Sequence, residues 1–396
     1  MRAALFLSAA LLASPAFAQS NTQLELRDTT AVTDVTVGSA YDVGATAVAS
    51  GNAVTTVTEG ADAALSNHQH MDGDASAQTD ATVWSAGGVV AVTSAAIGNG
   101  ATAQVTDGEA TIDSTQLSHG DAGASVAFTG GYAGHAATSA SAGGNVTAVS
   151  AQNSEIRLLS DQESTGAISA LTAADHGVVA GQAVAGSMAS ANNLTVGGET
   201  ATVLIDANQV AAGPNVNAAV DLYAGHAGDA SANATANANA ATIDNQWGYV
   251  NAAIRQQATA EVSADSYVTL GDDFVGFASA GAYGVGNQAV VSNVGSDTVL
   301  DIAQDNAGDI SANAAMIGEG GDMALASAAA YGNSVSGSLC VTCDASTPNL
   351  TASNEQINSG AVTATATVNT PNAATVGATA TAIGNAATYA VRPPGG

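Results

Sequence analysis

The feature that most limits what this chain can fold into is a repeat of about 47 residues. Asparagine stands at Asn52, Asn99, Asn145, Asn192, Asn239, Asn287, Asn333 and Asn385, at intervals of 47, 46, 47, 47, 48, 46 and 52. Seventeen residues after each of the first six comes a glutamine: Gln69, Gln116, Gln162, Gln209, Gln256 and Gln304. In the seventh copy the step from Asn333 to Gln356 is six residues longer. Four residues past the glutamine stands glycine at Gly73, Gly120, Gly166, Gly213, Gly308 and Gly360, with Ala260 in the remaining copy. A register kept over so many intervals excludes low-complexity disorder, although Gly, Ala, Ser and Thr are abundant.

Small residues lie three and five positions before each asparagine, as with Ala47 and Ala49 or Ala234 and Ala236. Residues two apart share one face of a strand, so these suit a narrow core in which backbones approach closely. Glycine directly precedes the asparagine in six of eight copies, which predicts a tight corner at positive φ. The expected fold is all-β: a β-solenoid of about seven 47-residue units. Glycines within a unit are about 22 and 25 residues apart, which predicts two coils per unit and a rod of about 70 Å. The repeated Asn and Gln are expected to stack as structural amide ladders, each side chain bonding its copies above and below.

The chain divides around this array. Residues 1–18 read as a secretory signal peptide, with Arg2, an apolar run from Ala3 to Leu12, and Ala16-Phe17-Ala18 as the cleavage site. Residues 19–37 are expected to be an N-terminal cap or export segment, residues 38–391 the repeat domain, and residues 392–396 a short tail. No later stretch has the roughly 20 unbroken apolar residues of a membrane helix.

Charge excludes further classes. The formal net charge is −29, and after loss of Arg2 only Arg27, Arg157, Arg255 and Arg392 oppose 34 acids, with no Lys anywhere. Nucleic acid and anionic lipid require clustered Lys and Arg, so neither is an expected partner. Catalytic solenoids set acids beside Lys or Arg on one face; here no catalytic or cofactor-binding group stands out, and no enzyme is expected.

Other motifs read more plainly. Cys340 and Cys343 form a C-x-x-C within the longer seventh copy, most simply a local disulfide in an exported protein. His68 and His70 share a strand face ahead of Asp72 and Asp74, a pattern open to a copper or zinc ion but also to exposed turn residues. Gly-Asp pairs recur at 73–74, 120–121, 228–229, 271–272, 308–309 and 321–322. The nine-residue spacing of calcium β-rolls is absent, leaving turn chemistry as the simpler reading. Trp84, Trp247 and Tyr249 are candidates for stacking on sugar rings, and aromatics gather at 246–249 and 267–277, where a thicker coil or an exposed patch is expected.

Two resemblances follow from these residues. The Gly-Asn and Gln-x-x-x-Gly elements with alternating small residues resemble the repeats of curlins, subunits of bacterial functional amyloid, in style but not in spacing. The whole chain, with its signal and its acidic, Lys-free, Ala/Thr/Val/Asn-rich body, looks more like the holdfast anchor HfaD family of stalked alphaproteobacteria. That resemblance implies a cell-surface anchor holding an adhesive polysaccharide to the outer membrane. It also implies two protein partners, a curli-pore-like export lipoprotein and a second anchor protein, with self-association as a further expectation. The curlin likeness supplies the alternative, a fibre subunit.

Overall fold

A computed structural model describes residues 17–272, 276–340 and 348–392. Strand accounts for 87% of the described residues, with no helix among them. Every strand pair is parallel. The chain is a β-solenoid, and one sheet of eight strands receives one strand from each successive coil.

The third coil shows the plan. A strand Glu109–Ser118 is followed by a turn at 119–121, and the long run Ala122–Gln152 then bends twice. Its pairing slips between Ala133 and Ala136, where the chain doubles back, and it turns again at Gly144 before Asn145. The coil closes through Asn153-Ser154 into Glu155–Ser164 of the next. The result is a flattened loop with two interior lobes meeting at a waist. One lobe is lined by alanine, including Ala232, Ala234, Ala236 and Ala238; the other holds Ile156, Leu158, Leu194, Ile254 and Leu300. Small side chains let the walls of the first lobe approach, so a sequence poor in Leu and Phe still excludes water.

The waist is stitched by amides. Asn99 donates one Nδ2 proton to Asn145 Oδ1 of the next coil (2.8 Å) and the other across the waist to the Leu117 carbonyl (2.8 Å). The same pair of bonds recurs at Asn52, Asn145, Asn192, Asn239, Asn287 and Asn333, and Asn385 accepts the last rung at 2.7 Å. Glutamines run beside them in the opposite sense. Gln116 donates to Gln69 Oε1 of the preceding coil (2.8 Å) and across the waist to the Val146 carbonyl of its own coil (3.1 Å). Gln162, Gln209, Gln256, Gln304 and Gln356 repeat this, and Gln69 passes the ladder on to Gln23.

Two expectations need correction. All pairings join residues a whole repeat apart, 46 to 48 or 52 in the ladder bonds, so each unit is one coil and not two. Eight coils at a strand spacing of about 4.8 Å give a stack of about 40 Å instead of 70. The two glycines of a unit lie on opposite walls of one waist. A Cβ on Gly98 would stand 2.9 Å from the Ser118 hydroxyl on the facing wall. Close approach also explains the glycine before the asparagine. Among the described glycines only Gly60 and Gly295 have positive φ, and neither precedes a ladder asparagine.

The array also starts earlier than expected. Phe17–Glu25 and Thr29–Ala40 pair in register with the second coil, so residues 19–37 form much of the first coil. Residues 1–16 of the expected signal peptide and 393–396 of the tail lie outside the described residues. The longer interval of 52 leaves the register intact, because Val294 pairs Cys340 and Thr298 pairs Leu350 on either side of it.

The ladder makes a stability prediction. Asn192 is fully buried, and Asn192→Leu leaves Asn145, Asn239 and the Val210 carbonyl short of a partner, which costs about 1–3 kcal/mol in urea unfolding. Asn385→Leu, at the exposed last rung, is expected to cost much less; equal losses would deny the ladder its structural role.

Candidate surface for ligand binding

The ladder amides are mostly buried and face no ligand, so binding falls to the outer faces. On the alanine lobe, the strands after the first turn of each coil expose alternate residues. Tyr223 pairs with Asp175 of the preceding coil and Tyr267 with Asp221, placing each phenol beside a carboxylate one rung away. Both tyrosines are about two-fifths exposed, at 40% and 42%. Partial burial pushes the Tyr267 hydroxyl pKa up, and Asp265 and Asp221 push it further, so it stays a neutral donor.

On the same strands, ending two residues before Tyr267, runs a shallow groove of about 530 Å³, with Asn217, Glu261, Asp265, Asp309, Ser311 and Thr363 among its lining residues. Its acceptors are held in place by the coil stacking: Asn313 donates to Asp265 Oδ1 at 2.8 Å and Ser263 to Asp265 Oδ2 at 2.7 Å. Carboxylates, amides and hydroxyls next to half-exposed phenols can accept hydroxyl or amine protons while an aromatic ring covers an apolar sugar face.

The aromatics singled out from the sequence are not brought together. Trp84 is 78% exposed and lies near the bend of the second coil, whereas Trp247 occupies the turn joining the fifth coil to the sixth, with Tyr249 half-buried beside it. Trp247 has φ 65°, and the equivalent turn residues Gly60, Asp107, Asn153, Thr200 and Gly295 all share that left-handed conformation. Their amides donate to the next coil, as Asp107 does to the Gln152 carbonyl (3.0 Å). Tyr223 carried no signal in the sequence, because only the stacking register sets it beside Asp175.

The Gly-Asp pairs serve turns. Asp74 Oδ1 accepts the amide of Asp121 (2.9 Å), Asp121 that of Ala167 (2.7 Å), Asp229 that of Phe277 (2.9 Å) and Asp309 that of Ala361 (2.8 Å). Cys340 is the exposed last residue of the strand Gly320–Cys340, and its expected partner Cys343 lies outside the described residues. His70 approaches Asp72, not His68, and the His70 hydrogen bond is the main cause holding the Asp72 pKa below its ordinary value. No helix among the described residues is long and apolar enough to cross a membrane.

The profile of HfaD, holdfast attachment protein D, matches residues 37–309, more than two thirds of the 396-residue chain. The chain belongs to the HfaD family. The matched region includes Tyr223, Tyr267 and most of the groove. No curated protein and no solved structure gives a significant match.

One buried group sets an acid limit. His176 stacks on Phe128 at 4.6 Å between ring centroids, its Nδ1 lacks a partner, and burial lowers its pKa to about 4. Between an unfolded value near 6.5 and about 4 the unfolded chain binds the extra proton, so the stabilisation present above pH 6.5 is lost as pH falls. His176→Phe is expected to remove about 3 kcal/mol of this pH dependence, measured as the difference between urea-unfolding profiles at pH 7 and pH 4.

Proposed function

We propose that this protein is exported to the cell surface and anchors an adhesive holdfast polysaccharide to the outer membrane, without catalysing a reaction. Membership of the holdfast attachment family is the observation that carries this reading. The alanine-lobe face with Tyr223, Tyr267 and the acidic groove supports it, because a rod presents a long surface that suits a polymer. A net charge of −29 favours polysaccharide bearing free amines. Each exposed ionic contact contributes about 0–1 kcal/mol, so retention of the adhesive arises from many contacts held at once. Export through a curli-pore-like lipoprotein and action beside a second anchor protein belong to the same proposal.

The fibre-subunit alternative has one observation in its favour. Among the described residues, both end coils carry strand edges with no neighbour on their outer side, so further copies could add there. Deletion of the gene separates the readings. An anchor mutant sheds intact adhesive into the medium. A mutant that keeps its adhesive but loses surface fibres supports the alternative, and one that stops making the polysaccharide points to synthesis. In the anchor case, replacing Tyr223 and Tyr267 together by Ala is expected to lower retention several-fold without unfolding the chain. Raised salt should loosen what remains.

A further inference from the structure

Away from the tyrosine face, three side chains converge where the second coil lies against the third. His70 projects from the outer side of Ala63–Met71, and Asp72 follows two residues later. His119 stands one coil on, its amide donating to the Met71 carbonyl (2.8 Å). The parallel register thus brings together a histidine pair 49 residues apart in the chain. His70 Nε2 lies 2.7 Å from Asp72 Oδ1, His119 Nδ1 lies 3.1 Å from the same oxygen, and the two ring nitrogens are 3.2 Å apart.

Hydrogen bonding alone accounts poorly for this triangle. If each imidazole donates to Asp72, the two N–H groups face one another across 3.2 Å, and if one does not, its contact with the carboxylate is repulsive. A metal ion removes the conflict by replacing both protons. With bonds of about 2.0–2.1 Å, ligand atoms are about 2.9 Å apart at right angles and about 3.3 Å apart at the tetrahedral angle. The separations of 3.1 and 3.2 Å lie inside that range and the one of 2.7 Å falls just below it, so the side chains need move only a little. The rings meet edge to face at 82°, so they do not stack.

We infer that His70, Asp72 and His119 form a binding site for one zinc ion. Two imidazoles with one carboxylate suit a borderline transition-metal ion, whereas calcium and magnesium require a shell of oxygens. The side chains are 34%, 45% and 40% exposed, so the ion is reached directly from solvent and a fourth position stays open to water. Bound there, zinc ties two coils together through side chains on their outer edge.

Zinc titration of the purified, full mature chain tests this by calorimetry and thermal unfolding. One equivalent is expected to bind and to raise Tm, with calcium giving neither effect. His119→Gln and Asp72→Asn should each weaken zinc binding at least tenfold and remove the Tm rise, while His68→Gln leaves both unchanged. All three positions are exposed, and circular dichroism of the metal-free variants verifies their folding. A His70→Gln chain supplies an independent test should either variant misfold. Absence of a zinc-binding step would overturn the inference, as would binding that survives His119→Gln or that rises without saturation on the acidic surface.

Discussion

Parallel pairing at an offset of one repeat is the constraint on which everything else in this protein depends. It makes each residue's neighbours the equivalent positions of the coils before and after, so a polar residue repeated at a buried position must be able to bond to its own kind. Asparagine and glutamine meet that condition, since an amide both donates and accepts and has a second proton left over. Here the second proton crosses the waist to the opposite wall. The ladders therefore fix two things at once, the axial register and the distance between walls. The alanine lobe depends on the latter, because alanine fills a gap only where the sheets are held close.

This explains which parts were legible in the sequence. Ladder positions must be the same in every coil, so Asn52 to Asn385 and Gln69 to Gln356 stand out at once. Gln23 belongs to the same ladder but lacks an asparagine seventeen residues before it, so it passed unnoticed. Coil number was misread for a physical reason. Glycine marks close backbone approach, and the chain approaches itself at the waist twice in each turn, once on each wall. Two glycines per repeat therefore look like two coils. The left-handed turn residues were hidden because that conformation is filled by Gly60, Asp107, Asn153, Thr200, Trp247 and Gly295 in turn.

Surface chemistry was harder to read. Tyr223 with Asp175, and His119 with His70, are pairs made by stacking. In sequence they are separated by a full repeat and share no motif. Outer positions are free to vary between coils, because nothing requires identical neighbours there. Function in such a fold is therefore written on the variable face, whereas the periodic residues chiefly report how the rod is built.

The opposed directions of the two ladders bear on what can meet the ends of the rod. Asparagine donors point toward the C-terminal coil and glutamine donors toward the N-terminal one. At the first coil Asn52 turns an acceptor oxygen outward, and at the last Asn385 turns its amide nitrogen outward. The coils are related by translation along an axis, so the two ends are not copies of one another. A twofold contact that set each ladder on its own copy would place oxygen against oxygen in one ladder and nitrogen against nitrogen in the other. Only an arrangement that keeps the same chain direction extends both ladders, which gives the rod a polarity like that of a screw thread.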